Sequence, residues 1–300
     1  MKRELTFVVP SRLDGALLRD VMKREIGISS KQLARMKQHT GAILCNGEPV
    51  YVIHRVCTGD ELRFLIEDDS EADGIVATQG EVDIRFENSD ILIVEKPAGL
   101  AVHPAPGDRE HTLGNFVVWH YEQLGEQFTY RPVNRLDRGT SGLMVIAKNA
   151  YAHASLAREM HTARFEREYL AVTEGVPIQI EGTVCAPIAR AEGSTIRREV
   201  SKSGADAVTH YRVEETFGGR ALVRLRLETG RTHQIRVHMA HLSCPLVGDF
   251  LYGQESEEIP RCALHSAKLK LILPVTGDTL EVESDLPQDM ANLLKRNEIE

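Results

Sequence analysis

The chain has 300 residues, of which 42% are hydrophobic and 27% are charged, and its formal net charge is −8. This composition is that of an ordinary globular protein with one large or two smaller domains. No run of residues approaches membrane-spanning length, and the start, Met-Lys-Arg-Glu-Leu, leads into no signal-peptide pattern, so we expect a soluble cytoplasmic protein.

The acidic residues are unevenly distributed. Residues 1–66 hold 11 lysines and arginines against 7 acidic residues, whereas residues 67–90 hold 1 against 9. One short segment therefore accounts for the whole net charge, and the flanking segments can still present basic faces to phosphate. The 5 cysteines are scattered without a C-x-x-C pair, which favours reduced thiols.

An extended arm is expected over residues 1–9, followed by two helices. The first helical pattern opens at Arg12-Leu13-Asp14 and is predicted to end near Gly27. Its apolar stripe consists of Leu13, Leu17 and Val21. The second helix is predicted over residues 31–39, because Ser29 and Ser30 are favourable N-cap residues.

Asn46-Gly47 is a strong hairpin signal, which predicts a return strand over residues 50–56 and a further strand over 62–65. The order of these features resembles the S4 domain, a small RNA-binding module, over roughly residues 10–65. On the second helix, Lys31, Arg35 and Lys37 would then bind RNA phosphate without reading sequence. The alternative for such a charge cluster is a solvated helix face.

Residues 67–82 are acidic and nearly free of large apolar groups, which predicts a flexible linker. We therefore expect an S4-like domain over residues 1–66 and a second domain over 83–300. In the second domain, residues 91–94 form an apolar run typical of a buried strand, and the turn Lys-Pro-x-Gly-x-x-x-His-Pro follows it from Lys96 to Pro104.

Asp137 stands in a charged turn, residues 134–142, that leads into the apolar strand pattern of residues 143–147. Arg135 and Arg138 flank it, and nearby cations favour an ionised carboxylate. An ionised acid at the end of a buried strand can act as a nucleophile or a base. The alternative is a surface salt bridge that ties down a loop.

Two later segments carry further candidates. Residues 167–172 are typical of a strand and contain Tyr169, whose alternative role is that of a half-buried tyrosine at a strand edge. Residues 228–239 contain Arg231 and Arg236 where a strand pattern ends and a helix is predicted to begin near Thr232. His238 and His241 have helical spacing without a third ligand, so no metal site is expected. Between these segments lies a basic cluster, interpreted as an RNA-facing loop, that consists of Arg190, Arg197, Arg198 and Lys202.

The block Arg-Leu-Asp-Arg-Gly-Thr-Ser-Gly-Leu, the Lys-Pro turn and the block Gly-Arg-Thr-His-Gln-Ile-Arg-Val-His resemble the RluA-type pseudouridine synthases over roughly residues 83–290. The resemblance implies an α+β fold with a mixed, largely antiparallel sheet and an active cleft across it. It implies that Asp137 is catalytic, that Arg236 pairs with it, and that Tyr169 lies under the target base. Arg135 would fill the stack that the base leaves, and Arg231 would bind RNA.

The function expected from this resemblance is the isomerisation of uridine to pseudouridine in RNA, with ribosomal RNA as the expected substrate and the enzyme acting as a monomer. An isomerisation needs no cofactor, and none is expected, nor any metal. The resemblance leaves open whether Asp137 attacks the sugar C1′ or removes a proton at C2′. Two alternatives remain, a transfer RNA pseudouridine synthase and a non-catalytic RNA-binding or ribosome-assembly protein on the same scaffold.

One residue departs from the family pattern. The family usually has histidine directly before Arg-Leu-Asp, whereas this chain has Asn134. Asparagine keeps the capacity to hydrogen-bond but cannot become cationic. Because that histidine is not the catalytic group, we expect activity to survive the replacement.

Overall fold

A computed structural model of the chain describes residues 2–67 and 74–295, without the side chains of residues 2 and 67. Among these residues, no helix combines the length and the apolar character needed to cross a membrane.

The N-terminal part of the chain contains a four-stranded antiparallel sheet in the order β1-β4-β2-β3. Its strands are β1 (Lys2–Val8), β2 (Ile43–Cys45), β3 (Glu48–Pro49) and β4 (Glu61–Glu67). Two helices cover this sheet, and their apolar faces share one core with buried strand residues such as Phe64. The predicted extended arm is therefore an edge strand, which pairs with β4 along its whole length.

The two helical predictions had different outcomes. Helix α1 begins only at Leu18 (Leu18–Asp20) and continues as a π-helical segment, Val21–Ile26. Ser11–Leu13 form only a single 3₁₀ turn, which Gly15, with a φ of 72°, separates from α1, so the predicted continuous helix from Leu13 was wrong. Helix α2 (Ser30–Met36) is confirmed, and Ser29 caps it in a reciprocal capping box with Gln32.

The hairpin at Asn46-Gly47 is confirmed, with φ values of 51° and 84° that suit a tight two-residue turn. The predicted return strand over residues 50–56 was wrong, since strand β3 ends at Pro49. The carbonyls of Val52 and His54 instead accept hydrogen bonds from the first N–H groups of α1. The segment is thus used to cap a helix, not to extend the sheet.

The predicted linker over residues 67–82 lies partly outside the described residues, which omit 68–73. Residues 74–82 contain no helix or strand, but they lie against the second part of the chain. Ile75 packs on its core, and the Asn115 side chain donates a hydrogen bond of 2.7 Å to the Val76 carbonyl.

A ten-stranded sheet forms the centre of the second part. Its strands are β5 (Asp83–Glu87), β6 (Ile91–Lys96), β7 (Arg131–Pro132), β8 (Ser141–Ala147), β9 (Phe165–Glu174), β10 (Glu181–Cys185), β13 (Val208–Phe217), β14 (Arg220–Leu227), β15 (Leu264–Ile272) and β16 (Thr279–Glu283). A separate two-stranded ribbon is formed by β11 (Ile188–Arg190) and β12 (Arg198–Val200).

The main path of the large sheet runs β10-β13-β14-β9-β15-β8-β6-β5. All of its described strand pairs are antiparallel except β8 with β15. Four helices accompany it, namely α3 (Leu113–Gln123), α4 (Ala150–Glu159), α5 (Gln234–His241) and α6 (Gln288–Lys295). The predicted α+β class with a mixed, largely antiparallel sheet is confirmed.

Strand β8 lies between β15 and β6 in the sheet, and every one of its residues is buried. Gly142 allows β8 and β15 to lie close together, because a Cβ at this position would lie 2.3 Å from the Ser266 carbonyl oxygen on β15. Its φ of 109° is also one that glycine adopts readily. The turn that contains Asp137 precedes this strand, so its position is fixed by the centre of the fold.

Candidate active site

A cleft of about 650 Å³ opens where the β7–β8 turn faces the loop before α5. Its lining includes the sequence-predicted residues Arg135, Asp137, Tyr169, Arg231 and Arg236. These residues are up to about 100 positions apart along the chain, and the fold brings all of them together. Lys31, Arg35 and Lys37 lie elsewhere, in the N-terminal part, the first two on α2 and Lys37 at its C-cap.

Arg236 connects two carboxylates at the base of the cleft. Its Nε and Nη2 each donate a hydrogen bond of 2.7 Å to Asp249, whose side chain is completely buried. Its Nη1 donates a longer bond of 3.3 Å to Asp137 Oδ2. Burial alone would lower the pKa of Arg236, but its pairing with Asp249 raises the pKa, so the guanidinium stays charged.

The contact between Arg236 and Asp137 is the one that the sequence predicted, whereas the stronger partner, Asp249, was not assigned to the site. A signal existed in the sequence, since Asp249 is a lone acid that follows the small apolar run Leu246-Val247-Gly248. A buried acid in such a run requires a cationic or hydrogen-bonding partner.

The Asp137 turn is held by a second buried cation, Lys96 at the end of β6. Its Nζ donates to the carbonyls of Pro97 and Leu100 at 2.8 Å and to that of Arg138 at 3.3 Å. Burial, together with repulsion from Arg261, lowers the pKa of Lys96 to about 7. The lysine of the Lys-Pro-x-Gly turn thus binds the chain beside Asp137 to the end of β6.

The side chain of Asp137 is 26% exposed, so it is reachable from the cleft. Its backbone carbonyl accepts a hydrogen bond from Thr140, which tightens the turn, and its neighbour Leu136 is buried in the main core. The turn around Asp137 is therefore held in place on both sides, while the carboxylate itself is accessible from the cleft and can contact a bound molecule.

Tyr169 lies in the floor of the cleft, on central strand β9, between β14 and β15. It is only 5% exposed, and burial raises the pKa of its phenol. The half-buried strand-edge alternative is therefore wrong, because both neighbouring strands are present and the ring is almost fully buried. A planar apolar floor of this kind suits a nucleobase.

Arg135 and Arg231 are exposed at the rim of the cleft. Arg231 is partly fixed, since its Nε donates to the Asp206 carbonyl at 2.9 Å. The basic ribbon β11–β12 lies on the same side, because the Arg198 amide donates to the Tyr252 hydroxyl and the Arg197 guanidinium lies 6.0 Å from the centre of the Tyr252 ring. The rim therefore presents cations to a polyanion.

Asn134 also lines the cleft, but its carbonyl is used by the fold. Its Oδ1 accepts a hydrogen bond of 2.8 Å from the Val145 amide on β8, and the side chain is buried. Its Nδ2 has no hydrogen-bond partner among the described residues. The residue that departs from the family pattern is thus a structural acceptor with one unused donor.

Two further residues of the site were not predicted, His233 and Tyr252. His233 precedes α5 with a φ of 58°, an uncommon conformation for a residue other than glycine, and its Nε2 lies 3.9 Å from Asp137 Oδ2. The ring of Tyr252 packs 5.1 Å from the Arg236 guanidinium. The sequence gives no sign of the left-handed backbone at His233, because it depends on the exact residue at which α5 begins.

His238, weighed as a metal ligand, has both ring nitrogens engaged, with Thr209 Oγ1 at 2.8 Å and the Ala186 carbonyl at 2.9 Å. It is a buried structural histidine. Among the described residues, the grouping whose donor atoms come close enough for a metal ion is Cys45, His54 and Asp60 in the N-terminal part, far along the chain from the cleft residues.

Known proteins resemble this chain in both sequence and fold. The sequence profile described as "RNA pseudouridylate synthase" matches residues 90–241. The uncharacterized RNA pseudouridine synthase YhcT of Bacillus subtilis is 39% identical over 295 residues, which cover 98% of this chain and 97% of the relative. The ribosomal large subunit pseudouridine synthase D of Pseudomonas aeruginosa is 40% identical over 269 residues, covering 85% and 81%.

Among solved structures, human RNA pseudouridylate synthase domain containing 4 matches with a TM-score of 0.59 and 24% identity, covering 72% of this chain and 93% of that one. The human domain containing 1 protein matches with a TM-score of 0.56. At this level of identity the likeness concerns the fold, and it agrees with the mixed sheet described above.

Proposed function

This chain belongs to the RNA pseudouridylate synthase family, and from that premise we propose that it modifies ribosomal RNA with Asp137 as its catalytic carboxylate. As a member it is an isomerase that converts uridine to pseudouridine in RNA. The reaction breaks the bond from C1′ to N1, forms a bond from C1′ to C5, removes the proton from C5 and adds one at N1. Since no electrons are gained or lost, the residues of the cleft suffice without a cofactor.

The observation that carries the role of Asp137 is its placement. It is a reachable carboxylate, anchored through Oδ2 by Arg236, at the edge of a cleft with Tyr169 in its floor. A carboxylate held in this way can approach the sugar as a nucleophile or remove a sugar proton. Both routes remain open for Asp137.

We also propose that the target uridine turns out of its stack to enter the cleft, because an enzyme that acts on a base must reach it outside the helix. Tyr169 then lies under the base and takes part in removing the C5 proton. Arg135 at the rim fills the vacated stack, for which a guanidinium plane is suited. Arg231 binds the backbone beside it.

Ribosomal RNA is proposed as the substrate because relatives of this chain carry the name ribosomal large subunit pseudouridine synthase D. The N-terminal part is proposed to act as an S4-like RNA-binding domain, with Lys31 and Arg35 on α2 and Lys37 at its C-cap against phosphate. A cytoplasmic location follows from that substrate. The chain is also proposed to act as a monomer.

The test is tritium release from uridine-C5-labelled RNA, with large-subunit ribosomal RNA and transfer RNA compared. We expect release from ribosomal RNA by the wild-type chain and none by a folded Asp137→Asn protein. Release from transfer RNA alone would overturn the ribosomal assignment. Release by Asp137→Asn at the wild-type rate would overturn the role of Asp137, and no release from either RNA would favour a non-catalytic RNA-binding or assembly protein.

A further inference from the structure

We propose that His233 is a positioning residue for Asp137, and that Tyr252 fixes the ring of His233 in the tautomer that can serve this role. The inference rests on the proposed function of Asp137. It concerns a histidine that lies in the second sequence block without an assigned role, and it rests on two hydrogen bonds and one close approach.

The first step is the hydroxyl of Tyr252. It accepts a hydrogen bond of 2.8 Å from the Arg198 backbone amide, which can only donate. It also lies 2.8 Å from His233 Nδ1, and this nitrogen is the one acceptor that the described residues offer to the phenolic proton. The proposed direction is that the hydroxyl donates to Nδ1, in which case Nδ1 carries no proton.

The second step concerns the other nitrogen. A neutral imidazole with an unprotonated Nδ1 must carry its proton on Nε2. Burial lowers the pKa of His233, and of the charged groups around the ring, Asp137 and Asp249 oppose that shift whereas Arg236 and Arg198 reinforce it. With this direction the ring is a neutral Nε2–H donor, and the lowered pKa of His233 favours the same neutral form.

The third step is the direction of this donor. Nε2 lies 3.9 Å from Asp137 Oδ2, the same oxygen that receives Nη1 of Arg236. No described residue donates a hydrogen bond to Oδ1. The separation of 3.9 Å is longer than a hydrogen bond, and we expect it to shorten when RNA fills the cleft. Because Arg236 and His233 both approach Oδ2, Oδ1 remains for the sugar.

The backbone of His233 supports a specific role. Its φ of 58° is a conformation that costs energy for a residue with a Cβ, and such residues persist where the surrounding structure demands their position. Two constraints act on His233: its ring lies between Tyr252 and Asp137, and the next residue, Gln234, begins α5.

The tautomer is measured directly, without substrate, by two-bond ¹H–¹⁵N spectra of the ¹⁵N-histidine-labelled chain at neutral pH, with His233→Gln used to assign the signal among the 12 histidines. We expect a pyrrole-type Nε2 and a pyridine-type Nδ1, and a shift toward the other tautomer in Tyr252→Phe. A protonated Nδ1 in the wild-type chain would overturn the proposal.

The role is measured by single-turnover formation of pseudouridine at saturating large-subunit ribosomal RNA, together with RNA affinity. We expect His233→Ala to slow the reaction about tenfold with unchanged affinity, in keeping with the loss of a hydrogen bond to a charged group. His233→Gln, which keeps an N–H donor near Nε2, should recover part of the rate, and Tyr252→Phe should lie between. The exposed His241→Ala serves as the control on the same helix.

A wild-type rate in His233→Ala, or a loss of affinity at an unchanged saturating rate, would overturn the inference while Asp137 keeps its role. An inactive wild-type chain would instead overturn the proposed function, and the tautomer spectra would still decide the first half of the inference.

Discussion

Asp249 and Arg236 form a two-pronged ion pair in which both hydrogen bonds measure 2.7 Å and the carboxylate is completely buried. Because the planar guanidinium is held at Nε and Nη2, only Nη1 remains to face Asp137. Asp249 therefore sets the angle at which the cation meets the proposed catalytic carboxylate, although Asp249 itself does not line the cleft.

Replacing Asp249 with asparagine should impair both stability and turnover. The change leaves a buried guanidinium without its counter-charge, which typically costs about 3–5 kcal/mol in the free energy of unfolding. It also frees Arg236 to rotate, so the single-turnover rate at saturating RNA should fall more than tenfold in whatever fraction remains folded. Urea unfolding and single-turnover assays measure the two effects separately.

A matched control exists in Asp289→Asn. Asp289 also makes a two-pronged pair, with Arg261 at 2.6 and 2.8 Å, but its side chain is 38% exposed. Water can partly replace that carboxylate, so we expect a smaller stability loss than in Asp249→Asn. Equal rates in Asp249→Asn and the wild-type chain would contradict the positioning of Arg236 by Asp249.

The sequence predicted those site residues that lie in contiguous blocks. Asp137 and Arg236 stand in charged stretches beside strong strand and helix patterns, so local reasoning together with the family resemblance found both. Asp249 and Tyr252 follow α5 after a turn, and they reach Arg236 and His233 only through the folded chain. No spacing along the sequence encodes such contacts.

The errors in the fold have the same origin. The apolar stripe around Leu13 has helical spacing, but the 3₁₀ turn Ser11–Leu13 cannot continue into α1, because Gly15 turns the chain between them. The residues after Pro49 have strand-like composition, but α1 takes their carbonyls as partners for its first N–H groups. In both places a tertiary hydrogen bond or a single backbone angle outweighed the local preference.

Gly142→Ala should unfold the catalytic part of the chain. An added Cβ would lie 2.3 Å from the Ser266 carbonyl oxygen, and the φ of 109° is unfavourable for alanine in any case. Gly219→Ala is the control, since Gly219 has a φ of 76° with no atom within 4 Å of the added carbon, and it should cost about 1–2 kcal/mol. Thermal unfolding of the two variants compares a backbone clash with backbone strain alone, and similar melting temperatures would show that β8 and β15 can separate.

Asn134→Ala should lower the free energy of unfolding by about 1–3 kcal/mol, because it leaves the Val145 amide on β8 without its buried acceptor. Asn134→His can restore an acceptor through Nδ1, and we expect it to keep the wild-type pseudouridine-forming rate within a few fold. A large gain in rate for Asn134→His would show that the family histidine contributes to catalysis beyond this hydrogen bond.

The last prediction concerns acid pH and His265 on β15, which is 1% exposed. The Ser284 hydroxyl donates a hydrogen bond to the Glu95 carboxylate, so it accepts one from His265 Nε2. With its proton on Nε2, His265 accepts at Nδ1 a hydrogen bond from Ser141, the first residue of β8. Burial lowers the pKa of His265 to about 4, against about 6.5 when unfolded.

Because the unfolded chain binds this proton more readily, the contribution of His265 is complete above pH 6.5 and is lost as the pH falls from 6.5 toward 4. The loss reaches about 3 kcal/mol at the lower end. Urea unfolding at steps across this range should show a steeper decline for the wild-type chain than for His265→Gln, in which the amide can keep both hydrogen bonds but takes up no proton. Parallel declines in the two proteins would assign the acid sensitivity to groups other than His265.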